Sequence, residues 1–495
     1  MDAFEARSER AEALAARVRI DAFCGAVSRA TRATAIEMGA ACAPYETDAL
    51  HGRGSAGCVL LPAAREDVAA IARLAGEHGV TLIAQGARTG LVGAAVPDAT
   101  RTQCVLSLAK LDRVIELDVA NRSVTVEAGM RVSALERVIA AHGLQFPIDI
   151  GSDPSIGGLV ATNAGGSRLL KYGDVRRNVL GLEVVLADGD GTRIDALVPL
   201  RKNNTGIDVK QLFIGAGGAL GIVTAASFEL RKRERSSAAF FVALPDYAAC
   251  AAALAAFEDA FGELLAAFEF IAAPTLAATL SAFADVRAPL RPDAGECFAL
   301  VELATAMPGL DALLAERGTE LLARLADAGL VADAAIDAAA DFWRVRDAVP
   351  LAFATHGLPL PFDVAFRRTK LVPFLDELKR WITQAHPLLT LHTFGHFGDG
   401  GAHLIVLVPN EARERYDAVR CALMRSAVYR MVRAHGGSFS AEHGIGPANF
   451  AHYRQLCPEP LRAVAARLQA TLDPRRVVGR CRYDAAFAPL AQGTV

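Results

Sequence analysis

From Cys58 onward the apolar residues fall into short blocks whose spacing alternates between two periods. CVLLP (58–62) is a continuous apolar run stopped by Pro62, which predicts a buried strand. Arg65–His78 places apolar residues at helical spacing and ends at Gly79, predicting an amphipathic helix, and VTLIAQ (80–85) predicts the next strand. Further strands are expected at CVLSL (104–108) and SVTVEAG (123–129), with a helix over 131–142 ending at Gly143. GLEVVLADG (181–189) reads as a strand closing on a hairpin turn. Before these blocks, residues 3–40 alternate apolar and charged positions at helical spacing, as one or two surface helices would.

The pattern changes after Arg235. Residues 245–345 are rich in Ala and Leu and predict helices, for example 247–271 and 309–329, with strands such as CFALVEL (297–303) between them. A long helix over 411–435 is capped by Gly436 and Gly437. The last helix, 459–471, stops at the LDP turn, 472–474. No internal repeat interrupts the chain. The pattern implies an α+β protein with a first domain over 1–232, a second over 233–430 and a C-terminal segment over 431–495.

A length of 495 residues agrees with more than one domain. The chain is 52% hydrophobic and 6% aromatic, which suits helices packed closely on sheets. Its net charge of −3 and the lack of a basic stripe exclude nucleic acid as a main partner. Nine cysteines lie scattered with no CxxC spacing, so reduced, mostly buried thiols are expected. Asp2, Glu5, Glu9 and Glu12 fit neither a secretory signal nor a transit peptide, and no apolar run has the length of a membrane span. A soluble cytoplasmic protein without a transmembrane segment is the expectation.

Three glycine-rich stretches lie within residues 86–230: GARTGLVGAAVP (86–97), GSDPSIGGLVATNAGG (151–166) and IGAGGALGIVT (214–224). Glycine lets backbone N–H groups approach an anion with no Cβ in the way. Gly86, Gly90 and Gly93 follow a strand, with Thr89 between them, and could cradle a diphosphate. Neither GxGxxG followed by a helix and an acid nor a Gly-Lys-Ser/Thr loop is present. Three such loops, with the amide of Asn163 among them, fit a large, flat, phosphorylated cofactor better than three unrelated tight turns.

A second constellation lies downstream. TFGHFGDGGAH (393–403) holds His396 and His403 on either side of a Gly-Asp-Gly-Gly turn, running into the strand AHLIVLVP. Such a turn can aim two imidazoles at one point, and Glu442 beside His443 in AEHGIG could add a third metal ligand. From spacing alone, loop hydrogen bonding is the commoner use of two such histidines.

The stretches VLLPAAREDVAAIARLAGEHGVTLIAQGARTGLVGAAVP, DPSIGGLVATNAGGSRLLKYGDVRRNVLGLEVVLADG and NNTGIDVKQLFIGAGGALGIVT resemble the FAD-binding domain of the vanillyl-alcohol oxidase / p-cresol methylhydroxylase superfamily. The likeness is greatest to its branch of D-2-hydroxyglutarate dehydrogenase, D-lactate dehydrogenase and the glycolate oxidase flavin subunit, and runs from about residue 45 to 480. The resemblance implies a two-subdomain FAD-binding domain of the p-cresol methylhydroxylase type plus an α+β substrate (cap) domain with an antiparallel sheet. It implies Gly86, Ala87, Arg88, Thr89, Gly90, Leu91 and Gly93 at the FAD diphosphate. Along the ribityl chain and flavin it implies Gly151, Ser152, Ile156, Gly157, Gly158, Thr162, Asn163, Gly165 and Gly166, with Gly221, Ile222 and Val223 near the adenine end. No His or Cys stands in the first loop, so the FAD is expected to be non-covalent.

GHxGDGxxH and EHGIG are similar to the branch's metal and catalytic signatures. By that likeness His396, His403 and Glu442 would hold a divalent metal, zinc by its N/O preference, and His443 would be the general base. Arg346 in DFWRVRDAV, matching a W-x-x-R pattern, would hold the substrate carboxylate; read alone, it would be a surface helix arginine. The implied function is FAD-dependent oxidation of a D-2-hydroxy acid to the 2-oxo acid, with hydride to flavin and electrons passed to a quinone or electron-transfer flavoprotein. The competing reading is a non-catalytic or electron-transfer flavoprotein subunit of a related complex. Oligomeric state stays open, a homodimer being the candidate.

The chain departs from the branch at several positions. Pro361 stands two residues before Asp363 where the branch often has Lys, Gly401 replaces an Asn, and Ile405 and Pro350 replace an Asn and a Thr. Ala87 and Ala94 replace glycines, and Gly479, Arg480, Cys481 and Arg482 stand in place of an Asn-Pro-Gly-Lys turn. Fewer polar groups remain for a second carboxylate, so a monocarboxylate with a more apolar tail is expected.

Overall fold

Two sheets of different character build the first unit, whose described residues lie within 2–165, 174–231 and 442–483. The structure is a computed structural model and describes residues 2–31, 34–50, 52–337, 339–353 and 356–483. The chain enters through α1 (Asp2–Ala30) and β1 (Ala35–Glu37), then runs β2 (Cys58–Leu61), α2 (Arg65–His78), β3 (Thr81–Gln85) and β4 (Gln103–Ser107). The strands order β1-β2-β4-β3, with the β2–β4 and β3–β4 pairs parallel. Parallel strands need a crossover, supplied here by α2, which Gly79 ends at φ +62. The outer edge of β3 is finished by chain from far downstream: Leu82 N donates to Val477 O at 2.7 Å, and Gly479 N donates to Leu82 O at 2.9 Å. Where residues 3–40 suggested only helices, the helical pattern stops at Ala30 and β1 follows.

The second sheet of this unit is antiparallel. The chain around it runs β5 (Val114–Asp118), β6 (Ser123–Glu127), α3 (Val132–Ala140), β7 (Leu144–Gln145), α4 (Ile156–Thr162), α6 (Val175–Asn178), β8 (Val179–Val185), β9 (Arg193–Ala196), β10 (Ile222–Glu229) and β11 (Arg231–Lys232), with β7 and β11 forming a separate two-stranded ribbon; α5 (Leu169–Tyr172) belongs to the other unit. The order is β5-β6-β10-β8-β9. The expected hairpin joins β8 to β9, its turn held by Asp188, whose carboxylate accepts from the N–H groups of Asp190, Gly191 and Thr192. Val126, Ile139, Phe146, Leu159 and Phe228 are among the residues of the core beneath it.

The second unit takes residues 166–173 and 232–441. In chain order it contains β12 (Ser236–Leu244), α7 (Tyr247–Phe261), β13 (Leu265–Ala272), α8 (Ala273–Ala282), β14 (Cys297–Thr305), α9 (Asp311–Asp327), β15 (Asp333–Asp337), α10 (Ala339–Ala348), β16 (Gly357–Ala365), α11 (Arg368–Ala385), β17 (Thr390–Gly395), β18 (Gly401–Pro409) and α12 (Ala418–Ala434). One seven-stranded sheet results, ordered β15-β12-β14-β13-β17-β18-β16. Side chains alternate between its faces. Phe240 packs on α9, where a Cβ on Gly318 would come within 2.1 Å of the ring, while its neighbour Phe241 packs against Phe342 of α10 on the opposite face, the rings tilted at 46°. α13 (Gly446–Leu456) and α14 (Glu459–Leu472) return to the first unit.

Two expected helices are shorter than the sequence suggested. The Ala-rich run over 247–271 is helical only to Phe261; Gly262 at φ +51 breaks it, and LAAFEFIA becomes β13. The helix expected over 411–435 starts at Ala418, where Asp417 caps it by accepting from Arg420 N at 2.8 Å. Among the described residues no helix is long and apolar enough to cross a membrane.

Candidate functional site

One face of the seven-stranded sheet carries the ionisable chemistry of the second unit. The strand LAAFEFIA is apolar except for Glu269, which is 1% exposed. A buried carboxylate needs partners, and Glu269 has two: Arg346 Nε donates to Oε2 at 2.6 Å, and His396 Nδ1 lies 2.6 Å from Oε1. Burial raises the Glu269 pKa, but the charges of His396 and Arg346 outweigh it and hold the carboxyl at about 2. Arg346 is buried on α10, not a surface helix arginine, and its guanidinium lies over the Phe394 ring at 5.1 Å. Glu269 accepts from Nε, and a guanidinium carries further N–H donors whose geometry suits a carboxylate.

The same face is extended by strand register. His403 of β18 is opposite Asp363 of β16 and Phe394 of β17, with His403 Nδ1 3.7 Å from Asp363 Oδ1. The His396 and His403 rings have centroids 5.4 Å apart. The turn between them is a short 3-10 segment closed by Gly400 at φ +86, and burial raises the pKa of Asp399 within it. His396 presents Nδ1 to a carboxylate, as imidazoles that ligate metals commonly do. The imidazole of His403 and the carboxylate of Asp363 are nitrogen and oxygen donors of the kind that hold divalent ions. One step along the same strands, Pro361 is opposite Ile405 and Ile405 is opposite His392. A second buried acid, Glu302 of β14, accepts from Trp343 Nε1 of α10 at 3.0 Å and from Arg168 Nη2 at 3.0 Å. Two carboxylates on adjacent strands thus anchor α10.

In the first unit the candidate residues offer mostly backbone. The first loop leaves β3 at Gly86, where a Cβ would stand 2.0 Å from Ser155 Oγ, so the first and second glycine-rich stretches meet there. Arg88 sits at φ +61 with its guanidinium over Tyr45, and Gly93 at φ +73. Gly90 has no atom within 4 Å of its virtual Cβ. Gly86 and Ala87, with Gly129 and Met130, line a cavity of about 270 Å³. Ser155 caps α4 by accepting from Gly158 N at 3.3 Å. Gly157 approaches Ala128, and the Thr162 hydroxyl bonds back to Gly158 O. Asn163, at φ +51, donates to Asp174 and accepts from Arg176 N. The third stretch joins the second through Gly215 N to Val160 O and Gly217 N to Ala161 O.

The last segment of this unit closes on the first loop. Gly446 lies against Val92, Ala448 N donates to Val92 O at 3.2 Å, and Pro447 approaches Gly93. That stretch carries Glu442 and His443, whose Oε1 and Nε2 are 4.0 Å apart. Some expected contacts look different in detail. The side chains of Ile222 and Val223 are buried in two cores, leaving only their backbone to a ligand, while Gly151 and Ser152 are exposed. Gly221 sits tightly against Val184, Gly165 ends the first unit's stretch, and Gly166 opens the segment assigned to the second.

Sequence reasoning missed Glu269, Glu302 and Gln85. Gln85 is 1% exposed and ties the first loop at its base, donating to Tyr45 O and Ala95 O at 2.9 and 2.7 Å. The available signal was a single Glu or Gln within an otherwise apolar strand, since such a residue folds inward only with its partners supplied. The cradle of close backbone approaches, together with the orphaned buried Oε1 of Gln85, fits a large polar cofactor in this unit.

A family model of the FAD binding domain matches residues 56–195, and a model of the C-terminal domain of FAD linked oxidases matches residues 233–482. The probable mitochondrial D-2-hydroxyglutarate dehydrogenase of Oryza sativa subsp. japonica is 33% identical over 434 residues, 86% of this chain and 75% of that protein. The D-2-hydroxyglutarate dehydrogenase of Stutzerimonas stutzeri (strain A1501) is 32% identical, over 80% of this chain and 84% of that protein. Among solved structures, alkyldihydroxyacetonephosphate synthase superposes with a TM-score of 0.65 at 15% identity, covering 89% of this chain and 81% of that one; it bears on fold alone.

Proposed function

The chain belongs to the family of FAD linked oxidases that includes the D-2-hydroxyglutarate dehydrogenases, and from that premise we propose that it oxidises a D-2-hydroxy acid to the 2-oxo acid. The observation that carries the reading is the pairing of Arg346 with Glu269, in which a buried carboxylate fixes a buried guanidinium through its Nε. A fork so held binds a carboxylate through two parallel hydrogen bonds. Bound FAD supplies the hydride acceptor. A divalent ion held by His396, His403 and Glu442 would supply positive charge that eases loss of the hydroxyl proton. Glu269 fixes the ring of His396 from its Nδ1 side. His443 is the proposed proton acceptor, and an external acceptor such as a quinone or electron-transfer flavoprotein takes the electrons.

The tail of the substrate is proposed to be apolar. Pro361 and Ile405 are opposite each other next to Asp363 and His403, and His392 beyond them is held uncharged by burial. A second carboxylate beside Pro361 and Ile405 would be desolvated by their apolar side chains. The test is anaerobic mixing of the FAD-loaded protein with paired D- and L-2-hydroxy acids, followed by dye-linked turnover with and without chelator. Flavin bleaching by D-monocarboxylates, lost with chelator and restored by zinc, is expected. No bleaching by any member would overturn the proposed activity, and a best kcat/KM for a five-carbon dicarboxylate would overturn the proposed tail.

A further inference from the structure

The C-terminal stretch VVGRCRY places two arginines two residues apart in the first unit, and the structure treats them differently. Arg482 is satisfied: Nη1 pairs with Asp473 Oδ2 at 3.2 Å and Nη2 donates to Arg476 O at 3.1 Å. Arg480 is 7% exposed, yet its Nε has no hydrogen-bond partner, and among the described residues no carboxylate forms an ion pair with it. Asp98 is the acid whose charge acts on it through space, but that carboxylate is spent on the N–H and hydroxyl of Thr100. Burial accordingly depresses the Arg480 pKa. A guanidinium cannot escape this cost by losing its proton at ordinary pH, so a buried one without a counter-charge calls for an anion.

Its surroundings say which. Gly479 is bonded to Leu82 of β3, the strand that delivers the first glycine-rich loop, and Asp98 follows the end of that loop. Cys481 on the other side packs against Gly217 so closely that a Cβ there would stand 2.5 Å from its Sγ. Arg480 therefore sits between a residue bonded to the strand that delivers the first glycine-rich stretch and a residue packed on the third, and that strand ends in a second orphaned buried group, Gln85 Oε1. A diphosphate carries permanent negative charge in every redox state of its cofactor and matches the planar fork of an arginine.

We propose that Arg480 is a cofactor-binding residue whose guanidinium takes the diphosphate of FAD, completing with a side chain a cradle otherwise made of backbone. The proposal rests on the reading that this unit binds FAD. It is tested on the full chain by titrating apoprotein with FAD and with ADP, for the unmodified protein and for Arg480→Met and Arg480→Lys, and by apoprotein melting. Arg480→Met should weaken FAD and ADP binding in parallel, by roughly tenfold to a hundredfold. It should also raise the Tm of the apoprotein, because a buried charge without a partner has been removed. Arg480→Lys should recover part of the affinity. Unchanged FAD affinity in Arg480→Met, a fall in apoprotein Tm, or loss of FAD affinity with ADP unaffected would each overturn the assignment. If the unmodified protein binds no FAD, the proposed function fails with it, and that outcome is distinct from the other three.

Discussion

The two units bring their chemistry to the surface by opposite means. In the first, the glycine-rich stretches offer mainly backbone groups of loops held close by glycines, as at Gly86 against Ser155 and Gly446 against Val92. In the second, the candidate ligands are side chains set on one sheet face by register, as with His403 opposite Asp363. Backbone cradles tolerate side-chain change but not added volume. A charged side-chain face tolerates volume change at its margins but not the loss of one member of an ion pair.

That contrast can be broken by substitutions of graded size. The largest effect is expected for Glu269→Leu, which strands a buried guanidinium. Loss of one partner of a buried pair costs about 3–5 kcal/mol, and turnover should fall at least a hundredfold with it. Urea unfolding checks the first, dye-linked assay the second, and a loss under 1 kcal/mol would mean that the pair is dispensable. Next comes acid. Burial, helped by the charge of His356, holds His392 at about 4, against an ordinary value of 6.5. The unfolded chain takes up this proton first, so the stabilising contribution is complete above pH 6.5 and is lost as pH falls from there to about 4. The loss amounts to about 3 kcal/mol. His392→Leu should flatten that slope in a pH series of unfolding midpoints.

The first unit should respond less. Gly86→Ala puts a methyl group 2.0 Å from Ser155 Oγ. Such overpacking costs roughly 1–3 kcal/mol. The protein should emerge with little flavin absorbance, and Ser155→Gly in the same chain should restore part of it. Smallest is Ser155→Ala, which removes the cap of α4 at a cost of about 1 kcal/mol, readable as a small drop in Tm. Equal damage from Ser155→Ala and Glu269→Leu would erase the distinction between the units.

The same contrast decides what could be read from the chain itself. The glycine loops were legible because glycine marks backbone that must approach something; the histidines stood out only through the likeness of GHxGDGxxH to the family's signature, since their spacing alone favours loop hydrogen bonding. Glu269 was invisible because its partners are 77 and 127 residues away, and only strand pairing brings them together. β13 was misread as helix because its Ala-rich start continues the composition of α7, and a single glycine in an uncommon backbone conformation decides the boundary. Arg480 was noticed only as a departure; its isolation from other charges is a property of packing, which no local pattern encodes.

The edge of β3 has a consequence for how the molecule is made. Its closing strand arrives from the other end of the chain, so that Thr81 and its partner Arg476 are separated by 395 residues. At roughly 5–20 residues per second on the ribosome, the emerging first sheet waits on the order of 20–80 s with that border unpaired. During this interval the nascent protein offers open hydrogen-bonding groups to its surroundings, and a shielding chaperone has its greatest value there.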